Sequence, residues 1–310
     1  VAVAEELHFG RAAARLYVAQ QALSRDIRRL EDQLGVALFI RSTRRVELTP
    51  AGTRLLPAAR NLLVAHDALV SETVAGTRPL LVDINSPGLG VPEHLARARE
   101  LAPEAELLTR FCGGLAAAAT AMLSLRVDVS FGRFAGLPQQ VRSRLAQIPV
   151  LLEPIGLLLP ADHPLAALEE VPMRLLAGHP VDVGAGNPAT AEWTDLGHRL
   201  ADAFGMAIAP PHAPPVGSEE MGRYLLRHGE AVLFSMSEPE VPGAVLRPVV
   251  DPVPLSLVSL VHPKELRHPG LTALYEAAAE LERTKNLLHR PAGTWLPRPD
   301  EDVLLRGLGS

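Results

Sequence analysis

The chain has 310 residues, 47% apolar and 21% charged, the balance of a soluble globular protein with room for two or three compact units. No run of about 18 apolar residues occurs, so no membrane span is expected, and a single cysteine, Cys112, excludes an intrachain disulfide or a cysteine-rich zinc site. The net charge of −5 argues against a nucleic-acid partner only when read globally. Residues 1–78 hold 11 Arg against 8 Asp and Glu, a balance of +3, and the remainder holds 19 Lys and Arg against 27 acids, −8. That asymmetry points to an anionic partner for the N-terminal part.

Val1–Glu6 lacks the basic and apolar regions of a signal peptide, so the cytoplasm is the expected compartment. The lack of an initiator Met suggests that a few residues precede Val1. Residues 10–17 then predict a short helix, with Ala12, Ala13 and Leu16 on one face. After Val18-Ala19 a second helix is expected from Gln20 to Leu34, its apolar stripe formed by Ala22, Leu23, Ile27, Leu30 and Leu34 and its end by Gly35. The opposite face carries Gln20, Gln21, Ser24, Arg25, Arg28 and Arg29. Two helices joined by so short a turn make a helix-turn-helix unit. Leu38–Arg41 and Val46–Leu48 read as two short strands around Ser42-Thr43-Arg44-Arg45, a small wing.

Thr49-Pro50 is a helix start, a capping hydroxyl followed by proline, and the helix is expected to run to about Val74, with Pro57 able to bend it. Leu55, Leu62 and Leu69 fall seven apart, as do Leu56, Leu63 and Val70, a pattern for either a dimer coiled coil or a helix packed on its own domain. Gly76–Pro79 reads as a linker. From Leu80 strands and helices alternate: strands at 80–84, 105–111 and 126–131, helices at 91–101 and 113–124. This is the rhythm of a parallel sheet. A second series begins at Pro154–Leu159, with strands at 181–183, 231–235 and 255–261 and helices at 194–204, 221–228 and 269–284. Residues 286–310 are polar and proline-rich and read as a flexible tail.

The run from Phe9 through Ser24, then Ile27-Arg28-Arg29-Leu30-Glu31, Leu34–Phe39, Arg41, Arg44, Arg45 and Leu48-Thr49-Pro50-Ala51-Gly52 resembles the winged helix-turn-helix of LysR-type transcriptional regulators. The match spans residues 11–52 without a gap. Leu158–Leu165 resembles that family's effector domain in outline. The resemblance implies an α/β protein with an N-terminal winged helix-turn-helix over 1–52 and a linker and dimerisation helix with hinge over 53–79. A periplasmic-binding-protein-like effector domain over 80–285 would follow. It would be built of two Rossmann-like subdomains, one at about 80–153 and 263–285, the other at about 154–262. It further implies double-stranded operator DNA, a small-molecule effector and a second copy of the chain, as homodimer or homotetramer, as partners. Two departures stand out: Ala19 where the family usually has Ser or Thr, which removes a helix cap, and Gln21 where Pro or Ser is usual.

A recognition helix presents its first residues to base edges, here Gln20, Gln21, Ser24 and Arg25, with Gln suited to adenine and Arg to guanine. Arg28 and Arg29 are placed for phosphates, Arg44 and Arg45 for minor-groove or backbone contact. The alternative is a merely solvated helix face. Effector contacts are expected where strands end: Ser86, Cys112, Gly113, Gly114 and Arg133, with Asn187 and Ser218 in the second subdomain. Gly113 and Gly114 precede a helix whose free N–H groups suit a carboxylate. Each is also compatible with an ordinary loop or cap role.

A stand-alone ligand-binding protein and a Rossmann-like enzyme with an accessory helical domain are the competing classes. The first is disfavoured by the intact stretch of 11–52. For the second, His163, His179, His212, His262 and His268 form no metal-ligand spacing, and no nucleophile–base motif or phosphate loop appears. No catalytic residue, metal or cofactor is therefore assigned. A lone Cys112 lacks the resolving partner of a sulfenate sensor.

Overall fold

A computed structural model describes residues 1–16, 18–41, 46–72, 78–85, 91–213, 215, 217–238 and 240–307. It divides into two compact units, Val1–Val74 and Ala75–Ser310.

In the first unit α1 (Ala2–Glu6), α2 (Phe9–Arg15) and α3 (Gln20–Leu34) precede a two-stranded wing, β1 (Phe39–Arg41) and β2 (Val46–Leu48), and a long helix α4 (Pro50–Glu72). Val3, Phe9, Ala12, Leu38 and Phe39 form its core, and Phe9 meets Phe39 edge-on with ring centres 6.0 Å apart. The boundaries follow from local chemistry. His8 caps α2 by accepting from the N–H groups of Gly10 and Arg11. Gly35 ends α3 in the left-handed conformation (φ 68°), with the Val36 N–H donating to the Glu31 carbonyl, the geometry that favours glycine. Thr49 caps α4: its Oγ1 accepts from Gly52 N at 3.0 Å and donates to the Ala37 carbonyl. Proline at the head of α4 is tolerated because no N–H is needed there, and α4 continues unbroken through Pro57.

The second unit opens with β3 (Leu80–Asp83), α5 (Pro92–Leu101), β4 (Leu107–Arg110), α6 (Leu115–Leu123) and β5 (Val129–Gly132), then a short α7 (Gln139–Arg142). β4, β3 and β5 are parallel neighbours, as expected of a βαβ series. The long β6 (Leu145–Pro160) follows, then β7 (Val171–Pro172), β8 (Val181–Asp182), α8 (Ala191–Phe204), α9 (Ser218–His228), β9 (Ala231–Ser235), β10 (Ala244–Val250), β11 (Val253–Pro263), α10 (Pro269–Lys285), β12 (Thr294–Trp295) and α11 (Arg298–Gly307). The second series is more mixed than a parallel reading predicts: β9 and β10 both run antiparallel to β6.

β6 and β11 join the two halves. They pair with each other from Leu145↔Pro263 to Pro154↔Leu255, with an irregularity between Val258 and Ser259 opposite the stretch from Pro149 to Leu151. A proline cannot donate to a ladder, so Pro149 falls where the register slips. Beyond Pro154, β6 changes partners and pairs with β9 and β10. One lobe packs Leu80, Val82, Leu95, Val129, Phe131, Leu260 and Leu274; the other packs Ile155, Leu157, Val181, Leu196, Leu200 and Leu233.

The C-terminal segment is not a flexible tail through residue 307. β12 pairs with β11, Trp295 meets Phe204 edge-on, and Leu296 and Leu304 are buried with Leu255 and Leu257. Its prolines start and bound a helix rather than preventing one, and its apolar residues cover the shared strands. Among the described residues no helix is long and apolar enough to cross a membrane.

Candidate DNA-reading helix and ligand cleft

α3 lies on the core through Leu23 and Ile27, which pack on the Val3–Phe9–Leu38 cluster. Gln20, Gln21, Arg25, Arg28 and Arg29 are exposed and Ser24 is half-buried. Arg11, Arg15 and Arg60, on the helices around it, are all tied to Glu5 or Glu6. By contrast, no ion pair among the described residues engages Arg25, Arg28 or Arg29. Exposed guanidinium groups spaced three and four apart share a helix face. Leu30 and Leu34, expected inside, are 40% and 45% exposed.

Ala19 caps α3 with no side-chain hydrogen bond, as its missing hydroxyl requires. Glu31 holds the wing instead, its Oε1 accepting from Leu38 N and Phe39 N at 2.8 and 3.0 Å. Arg44 and Arg45 lie outside the described residues. A Cβ on Gly52 would overlap the Leu38 carbonyl, so this glycine permits the close seating of α4 on the base of the wing.

The three leucines proposed for dimerisation do not behave alike. Leu55 packs on its own domain's core, whereas Leu62 is 72% exposed. The side chain of Leu69 lies outside the described residues.

In the second unit, β3 and β5 end beside the loop that opens α6. The buried Asp83 accepts from Cys112 N at 2.7 Å and from Ser130 Oγ at 2.6 Å. Burial pushes the Cys112 thiol up, and the neighbouring Asp83 charge and hydrogen bond add to it, to about 11. Ser86 lies outside the described residues. Gly113 and Gly114 have φ of 80° and 153°, and a Cβ on Gly114 would overlap the Ala189 carbonyl.

Two expected ligand contacts are committed elsewhere. Arg133 is 2% exposed: its Nε and Nη2 donate to Asp300 Oδ2 at 3.0 and 2.8 Å, and its Nη1 to Asp195 Oδ2 and the Glu192 carbonyl at 2.6 and 3.0 Å. It is therefore a structural clasp and not an open anion site. Asn187 Oδ1 accepts from Ala189 N at 3.1 Å, a local cap of the turn before α8. Ser218 is exposed at the head of α9, and no hydrogen bond among the described residues links it to this cluster.

The free N–H groups of α6 are also filled from within. Glu192, on α8 and 3% exposed, accepts from Leu115 N at 2.8 Å and from Ala116 N at 3.1 Å, one on each carboxylate oxygen. Burial raises its carboxyl above the usual range despite these donors. Burial alone would also raise Asp195, but hydrogen bonds from Arg199 and Arg133 outweigh it and hold that group low. Sequence reasoning missed Glu192, Asp195 and Asp300. Glu192 lies before residue 194, where the helix was expected to begin; Asp195 lies inside the expected helix with nothing in the local pattern to mark its partner; Asp300 lay in the supposed tail.

A winged helix-turn-helix with an unneutralised basic reading face, followed by a two-lobed α/β unit, defines a DNA-binding transcriptional regulator. The bacterial regulatory helix-turn-helix model of the LysR family matches residues 1–53. The chain is 34% identical to the uncharacterized HTH-type transcriptional regulator YnfL of Escherichia coli (strain K12), over 72% of this chain and 73% of that one. It is 30% identical to the DNA-binding transcriptional dual regulator OxyR of the same strain, over 92% and 93% of the two chains. In fold it is similar to CbnR, a LysR family transcriptional regulator, with TM-score 0.66 and 21% identity over 90% of this chain and 95% of that one. The chain belongs to the LysR family of DNA-binding transcriptional regulators. Family and relatives are regulators, not enzymes.

Proposed function

We propose that the protein is a cytoplasmic homo-oligomer that reads an operator through α3 and changes its DNA binding in response to a small organic acid. Gln20, Gln21, Ser24 and Arg25 meet base edges, and Arg28, Arg29 and the wing residues Arg44 and Arg45 hold the backbone. The observation that carries the DNA half is the exposed arginine face of α3, which no ion pair among the described residues engages, whereas Arg11, Arg15 and Arg60 nearby are held by Glu5 and Glu6. CbnR offers support by similarity of fold, since its full-length structure is complexed with its target DNA. Leu62 supports assembly, because so exposed a leucine on a long helix lacks apolar cover within its own chain.

The effector enters at the strand-end loops holding Ser86 and Cys112–Gly114, with Ser218 as a further contact. Relatives include a hydrogen peroxide-inducible genes activator of Escherichia coli O6:H1 and a protein of Mycobacterium xenopi described as a probable one. Thiolate oxidation by peroxide is a poor fit here, because Cys112 is pushed up to about 11 and stays a thiol at neutral pH. A mobility-shift titration of the region upstream of the gene across salt concentrations tests the DNA half. Affinity should fall steeply with salt and be lost in an Arg25→Ala, Arg28→Ala double variant. Salt-insensitive or absent binding by the folded full-length chain would refute the reading. A thermal-shift screen of small acids tests the effector half.

A further inference from the structure

The N-terminal end of α6 is occupied by a side chain of the other lobe, and the backbones around it are shaped for that contact. Both oxygens of Glu192 are engaged by the first two free N–H groups of α6, charge-assisted bonds at the positive end of a helix. Two glycines of the first lobe face the incoming segment. A Cβ on Gly136 would sit 2.7 Å from Glu192 Cα and 2.8 Å from Arg133 Nη1, and one on Gly114 would overlap the Ala189 carbonyl. Arg133 then donates to the Glu192 carbonyl and to Asp195, which Arg199 also holds. Asp300 completes the set. A buried carboxylate, two missing side chains and a committed guanidinium therefore converge on one contact between the lobes.

We propose that Glu192 is a tethered carboxylate latch, which holds the two lobes together on the chain's own side chain with no small molecule bound. Burial leaves the Glu192 carboxyl raised even with its donors in place, so desolvation opposes the contact that the two hydrogen bonds favour. An acid sensed at these loops must compete with Glu192 and does not enter an empty seat. Only that competition rests on the effector reading; the latch itself does not.

Hydrogen–deuterium exchange on the full-length protein tests it. In Glu192→Ala, exchange at the Leu115 and Ala116 amides should accelerate roughly tenfold or more, the loss of one to two kcal/mol of bonding. Gly136→Ala keeps the carboxylate but wedges the backbones apart, and should accelerate the same two amides. Sodium acetate should restore protection and melting temperature in Glu192→Ala, where acetamide and sodium chloride at equal ionic strength should not. Should Glu192→Ala fail to fold, Glu192→Gln keeps the shape with one acceptor oxygen, and one of the two amides should lose protection. Unchanged exchange in the folded variants overturns the latch, as does equal rescue by acetate and acetamide. If the exchange results hold but no acid shifts the wild-type melting temperature, the effector reading fails and the latch stands.

Discussion

Replacing Asp300 by Ala removes the acceptor for two of the three donating nitrogens of Arg133, a side chain 2% exposed. A buried donor left without a partner costs about 1–3 kcal/mol, and breaking a buried ion pair about 3–5 kcal/mol in total. Asp195 still holds Nη1 from a one-third exposed position, so the lower part of that range, about 3 kcal/mol, is expected. For a unit of this size that lowers the melting temperature by roughly 6–12 °C. The molecule carries its own reporter: its two tryptophans, Trp193 and Trp295, both lie in the second unit. Tryptophan fluorescence during denaturation therefore follows this unit alone. Asp300→Ala combined with Arg133→Met should recover much of the loss, because a buried pair replaced by apolar groups is often neutral. A melting shift below about 2 °C for Asp300→Ala, within the range of an ordinary surface substitution, would refute the clasp.

Three other perturbations separate local causes. His212 Nε2 donates to Asp182 Oδ2 over 2.6 Å; burial lowers its pKa, but Asp182 outweighs that and leaves it raised. Its contribution to stability is therefore full below the unfolded value of about 6.5 and fades as pH rises through the folded value, so His212→Gln should flatten the fluorescence-monitored stability curve across neutral pH. Gly52→Ala forces a Cβ against the Leu38 carbonyl and should destabilise the first unit by about 1–3 kcal/mol, seen as early loss of helical circular dichroism and of DNA binding while the tryptophan transition stays put. Leu62→Glu should dissociate the oligomer in sedimentation velocity while the tryptophan-monitored melting of the second unit stays put, since a side chain 72% exposed contributes little to its own chain.

The first unit was legible because its boundaries are local. Gly35, Thr49-Pro50 and the apolar step from Leu23 to Ile27 act within one or two helical turns, and α3 falls at the expected residues. The contact between the lobes was not, because its chemistry is made by partners far apart in sequence. Glu192 reaches Leu115 across 77 residues and Asp300 reaches Arg133 across 167. Nothing near Arg133 marks it as paired, so an end-of-strand arginine reads equally as a ligand clamp. β10 was missed because Arg247-Pro248 interrupts its apolar pattern, yet Arg247 turns its guanidinium onto the Ala166 carbonyl. α11 was missed because proline-rich polar composition masked the two leucine contacts that anchor it.

β6 runs without a break from one lobe into the other, paired with β11 as far as Pro154 and with β9 and β10 beyond it. Lobes strung on loops swing about a point; lobes that share a hydrogen-bonded strand meet the resistance of its backbone when their angle changes. Pro149 and Pro154 cannot donate to a ladder and are the least braced places of that strand. The two lobes are thus joined by backbone as well as by the side chains that meet between them.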